Sequence, residues 1–241
     1  MSAETIERQP NEPQAASQQT GHPPAAHAAL QHQFENMEQQ REAGALGMWV
    51  FLVTEIMFFG GLFMTYIVYR NWYPDAFIAA SHELDVTLGS LNTIVLIGSS
   101  LTMAFAVHSA QTGQRRSQVS FLTATLVLGL VFLGVKFIEY AHKFQEGHVP
   151  GPSFNFPEPH RAEAQMFFSL YFGMTGMHAL HMIIGAGLLL VLIRQAWRGR
   201  FSPEYYTPVE LTGLYWHFVD IIWIFLFPLL YLIGRHLHGA A

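Results

Sequence analysis

The sequence contains no cysteine. That absence removes disulfides, iron–sulfur clusters, covalently attached c-type haem and any thiolate-bridged copper centre in one step. Charge is scarce too: Asp, Glu, Lys and Arg make up 12% of the 241 residues, against 51% that are hydrophobic. A formal net charge of −5 and no dense basic cluster exclude a nucleic-acid backbone as partner. The chain does not open on an apolar stretch, so no cleavable signal peptide is expected and the first apolar span would act as its own insertion signal.

Long apolar runs dominate what remains. The mean hydropathy of +0.25 understates them, because a polar segment dilutes it. Residues 1–44 are rich in Gln, Ala, Pro, Glu and His and cannot bury enough apolar surface to fold alone. They read as a tail, disordered or ordered by a partner. Five apolar spans follow, at about 45–69, 86–110, 119–142, 165–193 and 211–233, each near the ~20 residues a helix needs to cross a bilayer. The predicted fold is therefore all-α, a polytopic membrane bundle over residues 45–241. The connections are short except for 144–161, where Pro150, Pro152, Pro157 and Pro159 exclude a helix.

Basic residues in the loops predict orientation. With the tail inside, the inner segments carry Arg8, Arg41, Arg115, Arg116, Arg194, Arg198 and Arg200, and the outer ones only Arg70, Lys143, Arg161 and Arg235. The expectation is a cytoplasmic N-terminus and a periplasmic C-terminus.

An ionisable side chain at mid-membrane costs about 2.5–3.5 kcal/mol on insertion scales, so each needs a partner or a task. Glu55 lies about 14 Å into the first span, with Phe51, Leu52, Phe58 and Phe59 as its helical neighbours. Its partner must come from another helix, a water or a lipid, and it fits either a packing carboxyl or one that exchanges protons or touches lipid. Asp220 has His217 three residues before it, which predicts a polar clamp on one helix. Lys136 and Glu139 have the same spacing, with Lys143 four residues further on. They read as a structural pair near the outer interface, where lysines can snorkel.

His178 and His181 stand near the middle of the fourth span, but no second helix offers the matching pair that a bis-histidine haem needs. They read as packing histidines bonded across helices. Gly60, Gly61, Gly173, Gly176, Gly185, Gly187 and Gly213 predict close helix contacts. Neither a phosphate loop nor a nucleophile–base arrangement stands out. No residue is a candidate for catalysis or metal binding.

Several segments in order resemble the haem-copper oxidase subunit III family. They are Thr54, Glu55 and FFGGLF in the first span; Leu91, Asn92, Thr93 and His108 in the second; Glu139 and Tyr140 in the third; His178 and His181 in the fourth; and Trp216, His217, Phe218, Val219 and Asp220 in the fifth. The likeness runs from about Gly47 to Gly234.

It implies a multi-pass subunit of the bacterial cytoplasmic membrane, of a short five-span type lacking the two leading spans of longer members. Such a subunit binds no haem or copper itself; those lie in its partners. It packs directly on subunit I, with subunit II and a small subunit IV nearby, and a respiratory supercomplex is compatible with it. It holds phospholipid, supports proton uptake and turnover stability, and Glu55 matches the family's carbodiimide-reactive glutamate. The implied enzyme, at the level of the complex, is a proton-pumping cytochrome c oxidase of aerobic electron transport. A quinol oxidase or a nitric oxide reductase-associated subunit is the alternative. A proton-coupled transporter using Glu55 and Asp220 is a different class, and would normally show a repeat and broken helices.

Overall fold

The structure is a computed structural model that describes residues 32–157 and 159–233. Six helices follow one another: α1 Met37–Trp72, α2 Pro74–His82, α3 Val86–Gln111, α4 Arg115–Gln145, α5 Arg161–Trp197 and α6 Thr207–Tyr231. All but α2 are long and apolar enough to cross a membrane, and the described residues form no strand beyond an isolated bridge between Ser202 and Tyr205. The expected bundle of five spans is what the chain builds.

Two differences lie at the first connection and at the start. α1 begins at Met37, well before residue 45, because Asn36 caps it by accepting from Gln39 N at 2.8 Å while the Gln39 side chain accepts from Glu35 N. This is a close relative of the capping box. Arg41 then anchors the extension, lying 3.7 Å from the Glu210 carboxylate and over the Tyr206 ring. The rest of the predicted tail, residues 1–31, lies outside the described residues, as does Arg235. The connection after α1 holds α2, a nine-residue helix with Pro74 in its first turn, where a missing N–H costs nothing.

α6 is the centre of the bundle, packed on α1, α3 and α5, and α4 closes the far side against α3 and α5. Burial follows that order: 56% of the apolar window of α6 is buried but only 11% of that of α1. α1 thus turns most of its surface to lipid or to another protein.

Polar side chains tie off the helix ends, whose last carbonyls lack helical partners. The Tyr66 hydroxyl donates to Leu229 O, Ser81 Oγ to Ile233 O and Arg115 Nε to Ala196 O. Between α3 and α4 the chain reverses in three residues, and Gly113 takes the positive φ of 71° that this turn requires.

The long connection after α4 is non-helical, as its prolines demand, but it is packed. Phe154, Phe156 and His148 gather on Phe168, and Arg161 donates to Phe154 O at 2.6 Å. At its start Glu146 faces Lys143 and His148. Burial alone would raise the Glu146 carboxyl, but the hydrogen bond and charge of Lys143, joined by His148, outweigh it and hold it below its ordinary value. A carboxyl lowered on folding contributes stability that is complete above its ordinary value and is lost as pH falls through its folded one. Acidification below about pH 4 should therefore loosen residues 146–157 modestly, seen as faster amide exchange after correction for intrinsic rates. Glu146→Gln should remove that pH dependence; an unaltered profile would contradict it.

Candidate functional site

The polar residues predicted inside the membrane form three separate groups. In the first, Glu55 on α1 meets His181 on α5, carboxylate oxygen to Nε2, at 3.1 Å. The partner that Glu55 needed is thus a histidine 126 positions away. Nδ1 of the same ring lies 2.8 Å from Met177 O, four residues back on its own helix.

A carbonyl can only accept, so Nδ1 carries the hydrogen and a neutral ring has a bare Nε2. The contact to Glu55 then needs one proton, on the carboxyl or on the imidazole. Either way the pair holds one shared proton and no net charge. Phe59 and Tyr215 flank the imidazole, and the Glu55 side chain keeps 19% of its surface open.

His178, one turn earlier, does not bond across helices as expected. Its ring is buried between Phe132 and Trp223, with centroids 5.3 Å away on each side, and neither nitrogen has a hydrogen-bond partner among the described residues.

The second group is the Lys136–Glu139 pair, and it is buried inside the bundle. Lys136 is 4% exposed and Lys143 5%, so neither snorkels. Lys136 Nζ donates to Glu139 Oε2 at 3.1 Å, to Tyr171 OH at 3.1 Å and to Tyr231 OH at 2.9 Å. Both hydroxyls donate onward to Glu139 Oε1. All three ammonium donors and both carboxylate oxygens are used, which is the condition under which a buried ion pair is tolerated. Four rings, of Tyr140, Tyr171, Trp223 and Tyr231, surround the ammonium within 5.0–5.6 Å. Lys143 instead reaches Glu83 O at 2.6 Å and ties α4 to the turn before α3.

The third group corrects the expected His217–Asp220 clamp. His217 Nδ1 lies 2.7 Å from Ser100 Oγ on α3, and neither Asp220 oxygen has a hydrogen-bond partner of good geometry among the described residues. The imidazole bonds across to α3 instead of along its own helix.

Tyr171, Tyr231 and Ser100 were not foreseen, because hydroxyls on distant spans carry no pattern in the sequence. Their positions on the buried faces of α5, α6 and α3 were the available signal.

Both His181 nitrogens are engaged, His178 is enclosed by rings, and among the described residues no three His, Asp or Glu side chains gather closely enough to hold an ion. The family model for cytochrome c oxidase subunit III matches residues 28–235, which takes in all three groups. The chain belongs to this family.

Among its relatives, quinol oxidase subunit 3 of Bacillus subtilis is 32% identical over 201 residues, covering 82% of this chain and 92% of the relative. Cytochrome c oxidase subunit 3 of Thermostichus vulcanus is 32% identical over 195 residues, 79% and 87% of the two chains. Cytochrome bo(3) ubiquinol oxidase subunit 3 of Pseudomonas aeruginosa is 30% identical over 188 residues, 78% and 84%. As a subunit III of a haem-copper oxidase complex, an oxidoreductase, this chain forms a helical membrane bundle.

Proposed function

We propose that this chain is the non-catalytic subunit III of a proton-pumping terminal oxidase that takes electrons from cytochrome c. It lies in the bacterial cytoplasmic membrane with its N-terminus inside, directly against subunit I and near subunit II and a small subunit IV. Haem and copper belong to those partners, and this chain contributes none of their ligands. Its own contribution is to hold phospholipid and to sustain proton uptake and turnover stability in the catalytic subunit. The transporter reading falls away with family membership.

The observation that carries this reading is the Glu55–His181 pair. It joins α1 to α5 through a carboxyl and an imidazole at 3.1 Å, and the Glu55 side chain, on the least covered helix of the bundle, stays partly exposed. Glu139 is closed in by its lysine and tyrosines, and Asp220 is buried, so neither is as accessible to exchange.

Glu55→Gln tests it: the amide can donate to Nε2 and keep the hydrogen bond, but it cannot release a proton. In the assembled complex we expect normal subunit content with several-fold fewer turnovers before inactivation, or proton uptake slowed by a similar factor. Unchanged values of both would leave Glu55 a packing residue.

Quinol as the electron donor is the second reading, favoured by the names of two of the relatives above. Oxygen consumption by the purified complex with reduced cytochrome c against a reduced quinol decides between them.

A further inference from the structure

α3 and α6 cross so as to leave a groove of about 460 Å³ on the outer surface of the bundle. Its walls are apolar, with Ile97 and Leu101 on α3 and Ile221 and Ile224 on α6, each about half exposed. The lining also includes Ser100, His217 and Asp220. Asp220 is the fourteenth of the 25 residues of α6, so this polar group lies about 17–20 Å from either helix end.

Mid-membrane depth decides what can cover such a place. The hydrocarbon core is about 30 Å thick, which keeps lipid headgroups and bulk water some 15 Å away. His217 is half-buried, its Nδ1 is taken by Ser100, and its Nε2 has no partner among the described residues. The Asp220 carboxyl behind it has no hydrogen-bond partner among the described residues. An acyl chain in the groove would match the isoleucine and leucine walls but leave the imidazole unmet, at a cost of about 1–3 kcal/mol for an unsatisfied polar group. A helix carrying a hydroxyl or amide side chain meets both requirements, since apolar ridges fill the groove and the polar group reaches Nε2. Ionisable residues in membrane spans face protein for this reason.

We propose that the α3–α6 groove is the seat of a transmembrane helix of a partner oxidase subunit, which places a hydrogen-bonding side chain on His217 at mid-membrane depth. This rests on the reading of the chain as an oxidase subunit and adds which face docks.

The test uses the intact complex, with a photoreactive benzoylphenylalanine at Leu101 or at Ile224 and a control at the exposed Leu190 on α5. Irradiation should give a one-to-one adduct with another membrane subunit from both groove positions and none from the control. His217→Phe in the Leu101 background should lower that adduct at least threefold. Adducts with lipid alone, an adduct with a second copy of this chain, subunit adducts from Leu190 but not the groove, or a yield indifferent to His217→Phe would overturn the proposal. Purification without any oxidase subunit would instead defeat the parent reading.

Discussion

Replacing Lys136 by methionine should be among the most damaging single changes in the chain. The substitution keeps the length of the side chain but removes the ammonium, leaving Glu139 buried with two tyrosine hydroxyls and no counter-charge. Breaking a buried ion pair from one side costs about 3–5 kcal/mol, because the stranded charge has lost its solvent and its partner together. The pair links α4 to α5 through Tyr171 and to α6 through Tyr231, so the loss falls on the centre of the bundle. The expected result is a chain that unfolds at markedly lower temperature in mild detergent and is depleted from the purified complex.

Removing both charges should be far gentler. In Lys136→Met with Glu139→Leu the two hydroxyls can bond to each other, and most of the lost stability should return. A single variant as stable as the double would show that the pair is not coupled as the geometry indicates. A double-mutant cycle measures that coupling directly.

The same pair shows what the sequence could and could not disclose. Spacing of three along a helix predicted contact for Lys136 with Glu139 and equally for His217 with Asp220. The first contact forms; the second does not, and His217 Nδ1 bonds instead to Ser100 on α3. Local spacing says which side chains share a face, while the neighbouring helix decides which of them bond. Glu55 makes the point more strongly: its need for a partner was evident from four apolar neighbours, but a histidine 126 residues away could be found only by folding the chain.

The five spans were legible because about twenty apolar residues have few other fates. α2 was not, being only nine residues long, and the early start of α1 was missed because a polar segment was judged by composition and not by its cap at Asn36. The glycines divided the same way. Gly185 and Gly213 do sit at close contacts, but Gly60, Gly61, Gly173 and Gly187 face open space, while Gly89 and Gly129, not singled out, are tight. A glycine in an apolar run signals close approach only when its face is known.

Gly129 and Gly185 support the second large prediction. A methyl group at Gly129 would stand 2.8 Å from Trp216 Cη2, and one at Gly185 would stand 2.9 Å from Cζ3 of the same ring. The indole of α6 is therefore clasped between the backbones of α4 and α5. It cannot slide away, because its Nε1 donates to Ser99 Oγ on α3 at 2.9 Å. Alanine at either glycine forces the ring or a whole helix to shift, and overpacking of this kind costs about 1–3 kcal/mol per site. Gly129→Ala and Gly185→Ala should each lower the thermal stability of the complex-bound chain, and the pair together should cost it its place in the complex. Trp216→Phe is destabilising on its own, since it leaves a cavity and takes the indole donor from Ser99, but it removes the outer ring atoms that a methyl group at Gly129 would strike. In its presence Gly129→Ala should lose most of its effect, so the combined variant should be clearly more stable than the sum of the two changes. Strict additivity would mean that the indole is free to move and that these helices are held together elsewhere.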